Sequence, residues 1–177
     1  AALRRMRARG FAPIADASSQ LLILGSMPGK ASLLAGEYYA HPRNAFWKIM
    51  AALFEIDAAA PYQRRVAALR ERRIALWDVL ASCTRATSLD SDIEASSLVV
   101  NDFSFFFRTH ARIRSVCFNG AKAEQLYRRH VLPELTGARE LQYHRLPSSS
   151  PAHAAISHAA KVEAWRVCYA KSRFSSP

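Results

Sequence analysis

Short unbroken apolar runs punctuate this chain, and longer mixed stretches separate them. Leu21 to Leu24 is entirely apolar and closes on Gly25, the signature of a strand buried on both faces. Ile74 to Leu80 repeats the pattern, interrupted only by Asp78, and reads as a second buried strand with its exit. Ile113 to Phe118 is a third strand, ending in the turn signal Asn119-Gly120. Leu141 to Leu146 has the period-two alternation of a fourth.

Helical patterns fill the intervals. Residues 42–54 read as a helix with Pro42 near its first turn and Asn44 on that turn. Pro61 opens a strongly basic helix running to about Arg70, and Asp102 caps a short helix over Phe103–Phe107. Ala121–His130 and Ala154–Lys171 are two more. Residues 81–101 read as an irregular excursion, and the serine loop Pro147–Pro151 as a connection. Alternating strands and helices predict an α/β fold: three α/β/α layers around a central, mostly parallel four-stranded sheet. One domain over residues 1–177 is expected, with 1–18 and 173–177 peripheral or frayed.

In such sheets ligands bind beyond the carboxyl ends of the strands. The unusual loops 25–44, 78–92, 119–120 and 147–153 all follow predicted strand ends, so they are expected to converge on one site.

Charge adds a partner class. The chain carries a formal net charge of +11, which favours a polyanion, most simply nucleic acid, over a membrane surface. No apolar stretch is long enough to span a bilayer, and no apolar segment follows the N-terminal arginines, so neither a membrane anchor nor a secretory signal is expected. The scattered cysteines Cys83, Cys117 and Cys168 form no C-x-x-C pair. They predict buried thiols in a reducing cytoplasm, with no metal site and no iron–sulfur cluster.

The candidate chemistry lies in the loops. Gly25-Ser26-Met27-Pro28-Gly29 matches neither a G-x-G-x-x-G fingerprint nor a G-K-[ST] phosphate loop, so no nucleotide cofactor is expected. Its small residues would let backbone N–H groups approach a ligand. Tyr39 is placed to stack on a ring, whereas Trp47 reads as core. The Asn44 amide either holds a water or base edge, or makes local helix-start bonds. Asp78, an acid after an apolar strand, either accepts from a ring N–H or pairs with Arg85. Ser148, Ser149, Ser150 and His153 can hold phosphates, and His41 is either a ligand or a loop organiser. Neither a G-x-S-x-G elbow nor an H-E-x-x-H helix is present.

Taken together, Gly25–Gly29, the segment Tyr39–Trp47 with its H-P-x-N-x-F-W core, Leu76–Leu80, Phe118–Gly120 and Pro147–Pro151 resemble the uracil-DNA glycosylase superfamily. The resemblance is nearest to its hypoxanthine-DNA (deoxyinosine) glycosylase branch. It implies a monomeric, monofunctional repair enzyme that flips a deaminated base out of DNA and hydrolyses its N-glycosidic bond. It makes Asn44 the catalytic amide. Gly25, Ser26, Met27, Pro28, Tyr39, His41 and Asp78 become the base-binding set. Met27 stands where the mismatch-specific uracil branch carries its catalytic Asn, and Leu146 where some relatives carry a His. The competing expectations are a uracil- or mismatch-directed glycosylase, a non-catalytic nucleic-acid-binding domain, and a nucleosidase acting on free nucleosides.

Overall fold

The computed structural model describes residues 6–137 and 139–173, so the N-terminal Arg4 and Arg5 and the expected frayed end at 174–177 lie outside it. Strand β1 spans Met6–Arg9, β2 Leu21–Gly25, β3 Ile74–Asp78, β4 Leu80–Arg85, β5 Val99–Val100, β6 Ser115–Asn119 and β7 Gln142–Leu146. Helix α1 spans Lys30–Ala35, α2 Phe46–Phe54, α3 Tyr62–Glu71, α4 Phe103–Thr109, α5 Ala121–Leu126 and α6 His158–Arg173.

The main sheet is parallel, in the order β3-β2-β6-β7. Every residue of β2, β3 and β6 is buried, because helices cover both faces. Alternation along the strands sorts their side chains between two cores. Leu22, Leu24, Ala75, Trp77, Val116 and Phe118 face Phe103, Phe106, Phe107 and Tyr127 on one side. Leu21, Ile23, Ile74, Leu76 and Cys117 face Phe46, Ile49, Met50, Leu69 and Trp165 on the other. These are the expected three layers. The edge strand β7 is only partly covered, which is why its sequence alternates.

Several expectations are corrected. The stretch 81–101 is not irregular throughout: β4 pairs antiparallel with β1 on one side and with β5 on the other. Polar Ser82, Thr84 and Arg85 conceal this strand, because its ladder bonds are made by backbone and do not depend on apolar side chains. Residues 6–9 are accordingly tied down, as the edge strand of the smaller sheet. Met6–Arg9 is a paired strand, and Ile14 bridges Leu76 of β3. Helix α2 begins at Phe46, so Asn44 precedes the helix instead of lying on its first turn. Its side-chain Oδ1 accepts from the Phe46 N–H at 3.0 Å, which marks the turn where the helix starts. Short α1, unexpected from sequence, fills part of the loop after β2 and ends at Gly36, whose φ is 68°. The Asp102 cap holds, with Oδ1 accepting from Phe105 N at 3.0 Å, and all three cysteines are buried free thiols. Among the described residues no helix is long and apolar enough to cross a membrane.

Candidate active site

The sheet order places a crevice at one point. From β2 the chain adds β3 on one side, then returns to add β6 on the other, so the connections diverge beyond the carboxyl ends of β2 and β6. A cleft of about 840 Å³ opens there. The turn 25–29, Tyr39, His41, Asn44, Asp78, Asn119 and the serine loop all line it, together with Lys30 and residues 87–91. The four loops expected to converge do so.

Gly25 forms the floor for reasons of space. A Cβ there would lie 2.4 Å from Asp78 Oδ1 and 3.0 Å from the Tyr39 hydroxyl oxygen, so only glycine lets both groups close over the strand end. Asp78 is 3% exposed, and its Oδ2 has no hydrogen-bond partner. Burial, with the Asp90 charge adding to it, pushes its carboxyl up to about 7, against the pull of Arg85. Arg85 is therefore a charge partner at a distance: its guanidinium donates to the Pro28 carbonyl. Asp90 accepts from the Ser26 hydroxyl, which fixes the turn after β2 to the loop after β4. Met27 belongs to the same buried cluster as Phe103 and Trp77 while lining the cleft.

The loop carrying Tyr39 is held on several sides. Trp47 Nε1 donates to the Tyr38 carbonyl at 3.0 Å, Ala40 N to Ser32 Oγ at 3.1 Å, and the Tyr38 hydroxyl to the Ala12 carbonyl at 2.9 Å. These bonds hold Tyr39 in the left-handed region at φ 56°, a conformation non-glycine residues seldom adopt. Its ring stacks on Phe46 with centroids 4.2 Å apart, and its buried hydroxyl, with the Asn119 amide beside it, donates to no acceptor. Burial first, and then the Asp78 charge, raise that phenol far above its ordinary range, so it stays protonated. The expected stacking surface is thus covered on one face by Phe46, and the polar end of the side chain reaches the cleft floor.

At the other wall, His41 Nδ1 accepts from Arg43 N at 3.1 Å, which leaves Nε2 as the N–H donor of the neutral ring. Asn44 uses one lone pair of Oδ1 on Phe46, keeping the second lone pair and the amide N–H₂ for the cleft.

The serine loop is organised from within. Ser149 is fully buried: Asn119 Nδ2 donates to its Oγ at 2.8 Å, its N–H donates to Asn119 Oδ1 at 2.8 Å, and its carbonyl accepts from Ala45 N at 2.9 Å. Ser149 therefore joins the ends of β6 and β7 to the start of α2, and its full burial keeps its hydroxyl from a phosphate. Gly120, at φ 95°, packs against Ser148, where a Cβ would lie 3.1 Å from the Ser148 Cβ. Trp165 of α6 supports the loop from behind, donating to the Pro147 carbonyl at 2.8 Å. Ser148, Ser150 and His153 remain at the cleft wall.

Sequence reasoning left two contributors unassigned. Asn119 read only as a turn residue, and Asp90 lay in a polar stretch with nothing to separate it from Asp92.

Residues 12–169 match the family model of the uracil DNA glycosylase superfamily. The chain belongs to that superfamily. Two curated relatives named hypoxanthine DNA glycosylase are each 35% identical: one from Methanosarcina acetivorans over 73% of this chain and 87% of its own, one from Methanosarcina barkeri over 67% and 74%. A solution NMR structure from Methanosarcina acetivorans, described as a candidate uracil DNA glycosylase, superposes with a TM-score of 0.74 at 32% identity. That match covers 93% of this chain and 97% of the other. The superfamily membership accounts for the three-layer fold and for a cleft at the strand ends.

Proposed function

We propose that this superfamily member is a monofunctional DNA glycosylase that releases hypoxanthine from deoxyinosine and leaves an abasic site. The observation that carries the reading is the pairing, in one cleft, of a non-ionising amide, Asn44, with a buried and unpartnered acid, Asp78. The names of the two curated relatives favour hypoxanthine as the base.

The target base leaves the stack and enters the cleft. Asp78 accepts from the N1–H of hypoxanthine, where adenine presents a lone pair. As the C1′–N9 bond breaks, its electron pair goes to the purine and cationic character develops on the sugar. Backbone N–H groups of the 26–29 turn and the His41 Nε2–H face the departing negative charge. Asn44 orients a water whose oxygen bonds to C1′, and the proton it loses goes to solvent or the purine. Lys30, Ser148, Ser150 and His153, at the cleft wall, engage phosphates. Uracil carries a comparable ring N–H, so uracil release is the second activity the same acceptor supports. We take the enzyme as a cytoplasmic monomer that scans DNA.

The test is base release from single- and double-stranded oligonucleotides containing deoxyinosine or deoxyuridine, with Asn44→Ala in parallel. Hypoxanthine release that falls ~100-fold or more in the variant, with DNA affinity retained, is the expected result. Release of uracil alone moves the chain to another branch of the superfamily. DNA binding without release of either base refutes the enzyme reading. Borohydride trapping of a covalent adduct, through Lys30 for instance, refutes the monofunctional mechanism.

A further inference from the structure

The floor of the cleft holds two buried polar groups with bonding capacity to spare. Among the described residues, the buried side-chain N and O atoms without a partner belong to Gln20, Tyr39, Asp78, Arg85 and His144. Of these, only Tyr39 and Asp78 line the cleft. The Asp78 carboxylate, through its Oδ1, and the Tyr39 hydroxyl close on the same point, the place a Cβ on Gly25 would take. Buried groups are rarely left unpaired unless a ligand completes them.

The neighbouring polar groups are already engaged. Asn119 spends its oxygen and one amide hydrogen on Ser149 and turns the amide toward the Tyr39 oxygen, which leaves the Tyr39 O–H free to donate, and the Ser26 hydroxyl is given to Asp90. What remains at the floor is the Asp78 carboxyl, an acceptor in its ionised form, beside one available donor, the Tyr39 O–H. A ring N–H next to a ring C=O is the complementary edge.

We propose that Tyr39 and Asp78 together form a two-point reader for a cis-lactam edge. The Asp78 carboxylate accepts from the ring N–H, and the Tyr39 hydroxyl donates to the adjacent carbonyl. The inference rests on the glycosylase reading above, and deepens it by naming the substrate class. Hypoxanthine (N1–H and C6=O) and uracil (N3–H and C4=O) fit. Adenine and cytosine present the reverse polarity at both points, a lone pair facing Asp78 and an amino group facing the phenol. Guanine and thymine carry the same lactam edge, so the reader separates lactam from amino-substituted bases and the guanine 2-amino and thymine 5-methyl groups are left to the shape of the cleft. Tyr39 thereby acts through its hydroxyl, while its ring is held against Phe46.

Tyr39→Phe removes the hydroxyl and keeps the ring. Two measurements on the full chain decide the matter: single-turnover base release from single-stranded deoxyinosine DNA, and binding of free hypoxanthine against unsubstituted purine, followed by NMR. The expected result is a ~10- to 100-fold slower release in Tyr39→Phe, and a wild-type preference for hypoxanthine over purine that collapses in the variant. A merely structural role would weaken both free bases alike and leave their ratio unchanged, which overturns the proposal. Wild-type release rates in Tyr39→Phe overturn it as well. If the wild-type protein releases no hypoxanthine at all, the glycosylase reading fails, and the free-base preference and its dependence on Tyr39 still decide whether the reader exists.

Discussion

Asp78→Asn separates stability from activity, because the wild-type carboxyl is held at the cleft floor at the expense of the fold. In the unfolded chain this group gives up its proton near 3.8, and in the folded protein near 7. Between those values the native state binds the extra proton, so stability falls as pH rises; below them there is no penalty, and above about 7 it is complete. At ~1.4 kcal/mol per pH unit, moving from ~pH 5 to ~pH 8 costs the wild type at most ~3 kcal/mol through this group. An asparagine carries no such penalty. Its buried amide adds an offset that does not change with pH. Urea unfolding of both proteins at the two pH values should therefore show the variant gaining ~1–3 kcal/mol on the wild type as pH rises. Base discrimination should blur in the same variant, because an amide can present either a donor or an acceptor to the ring. A stability gap that is the same at both pH values refutes the reasoning, since it would mean that Asp78 carries no uncompensated charge in the folded state.

Gly25→Ala places a methyl group 2.4 Å from Asp78 Oδ1, so we expect base release to drop at least tenfold and stability to fall ~1–3 kcal/mol, measured by single-turnover kinetics and urea unfolding. Ser149→Ala deletes the acceptor for Asn119 Nδ2, and thermal or chemical unfolding should record a loss of ~1–3 kcal/mol with weaker activity, even though the hydroxyl meets no DNA. DNA affinity should fall linearly on a log–log plot against salt, and a flat response in fluorescence anisotropy would separate the charge of +11 from DNA binding.

Much of this molecule was legible in its pattern of residues. The strands at Leu21–Gly25, Ile74–Asp78 and Ser115–Asn119 are apolar runs because both of their faces are covered, a condition written directly into composition. The cleft lining at residues 25–28, 39, 41, 44, 78, 148–150 and 153 was legible for a related reason: loops at the ends of parallel strands share one end of the sheet. The β1–β4–β5 sheet was not legible, because Ser82, Thr84 and Arg85 leave no apolar alternation while their backbone groups still form the ladder.

The sequence by itself determined the layers, the four-strand core and which loops could meet, since these follow from local periodicity and from the short, right-handed connections of α/β chains. Only the tertiary structure decided what each polar group in the cleft is free to do. Ser149 looked like its neighbours Ser148 and Ser150, yet it is fully buried and spent on Asn119 and Ala45. Tyr39 looked like a stacking ring; the fold covers one face of that ring with Phe46 and sends its hydroxyl to the cleft floor, where it donates to no acceptor. For Asp78 the sequence left a ring N–H and Arg85 as alternative partners; in the fold Arg85 donates to the Pro28 carbonyl, and Asp78 Oδ2 has no partner. Hydrogen-bonding capacity is a property of the residue, but its consumption depends on which atoms of distant segments come within about 3 Å, and local pattern carries no record of that distance.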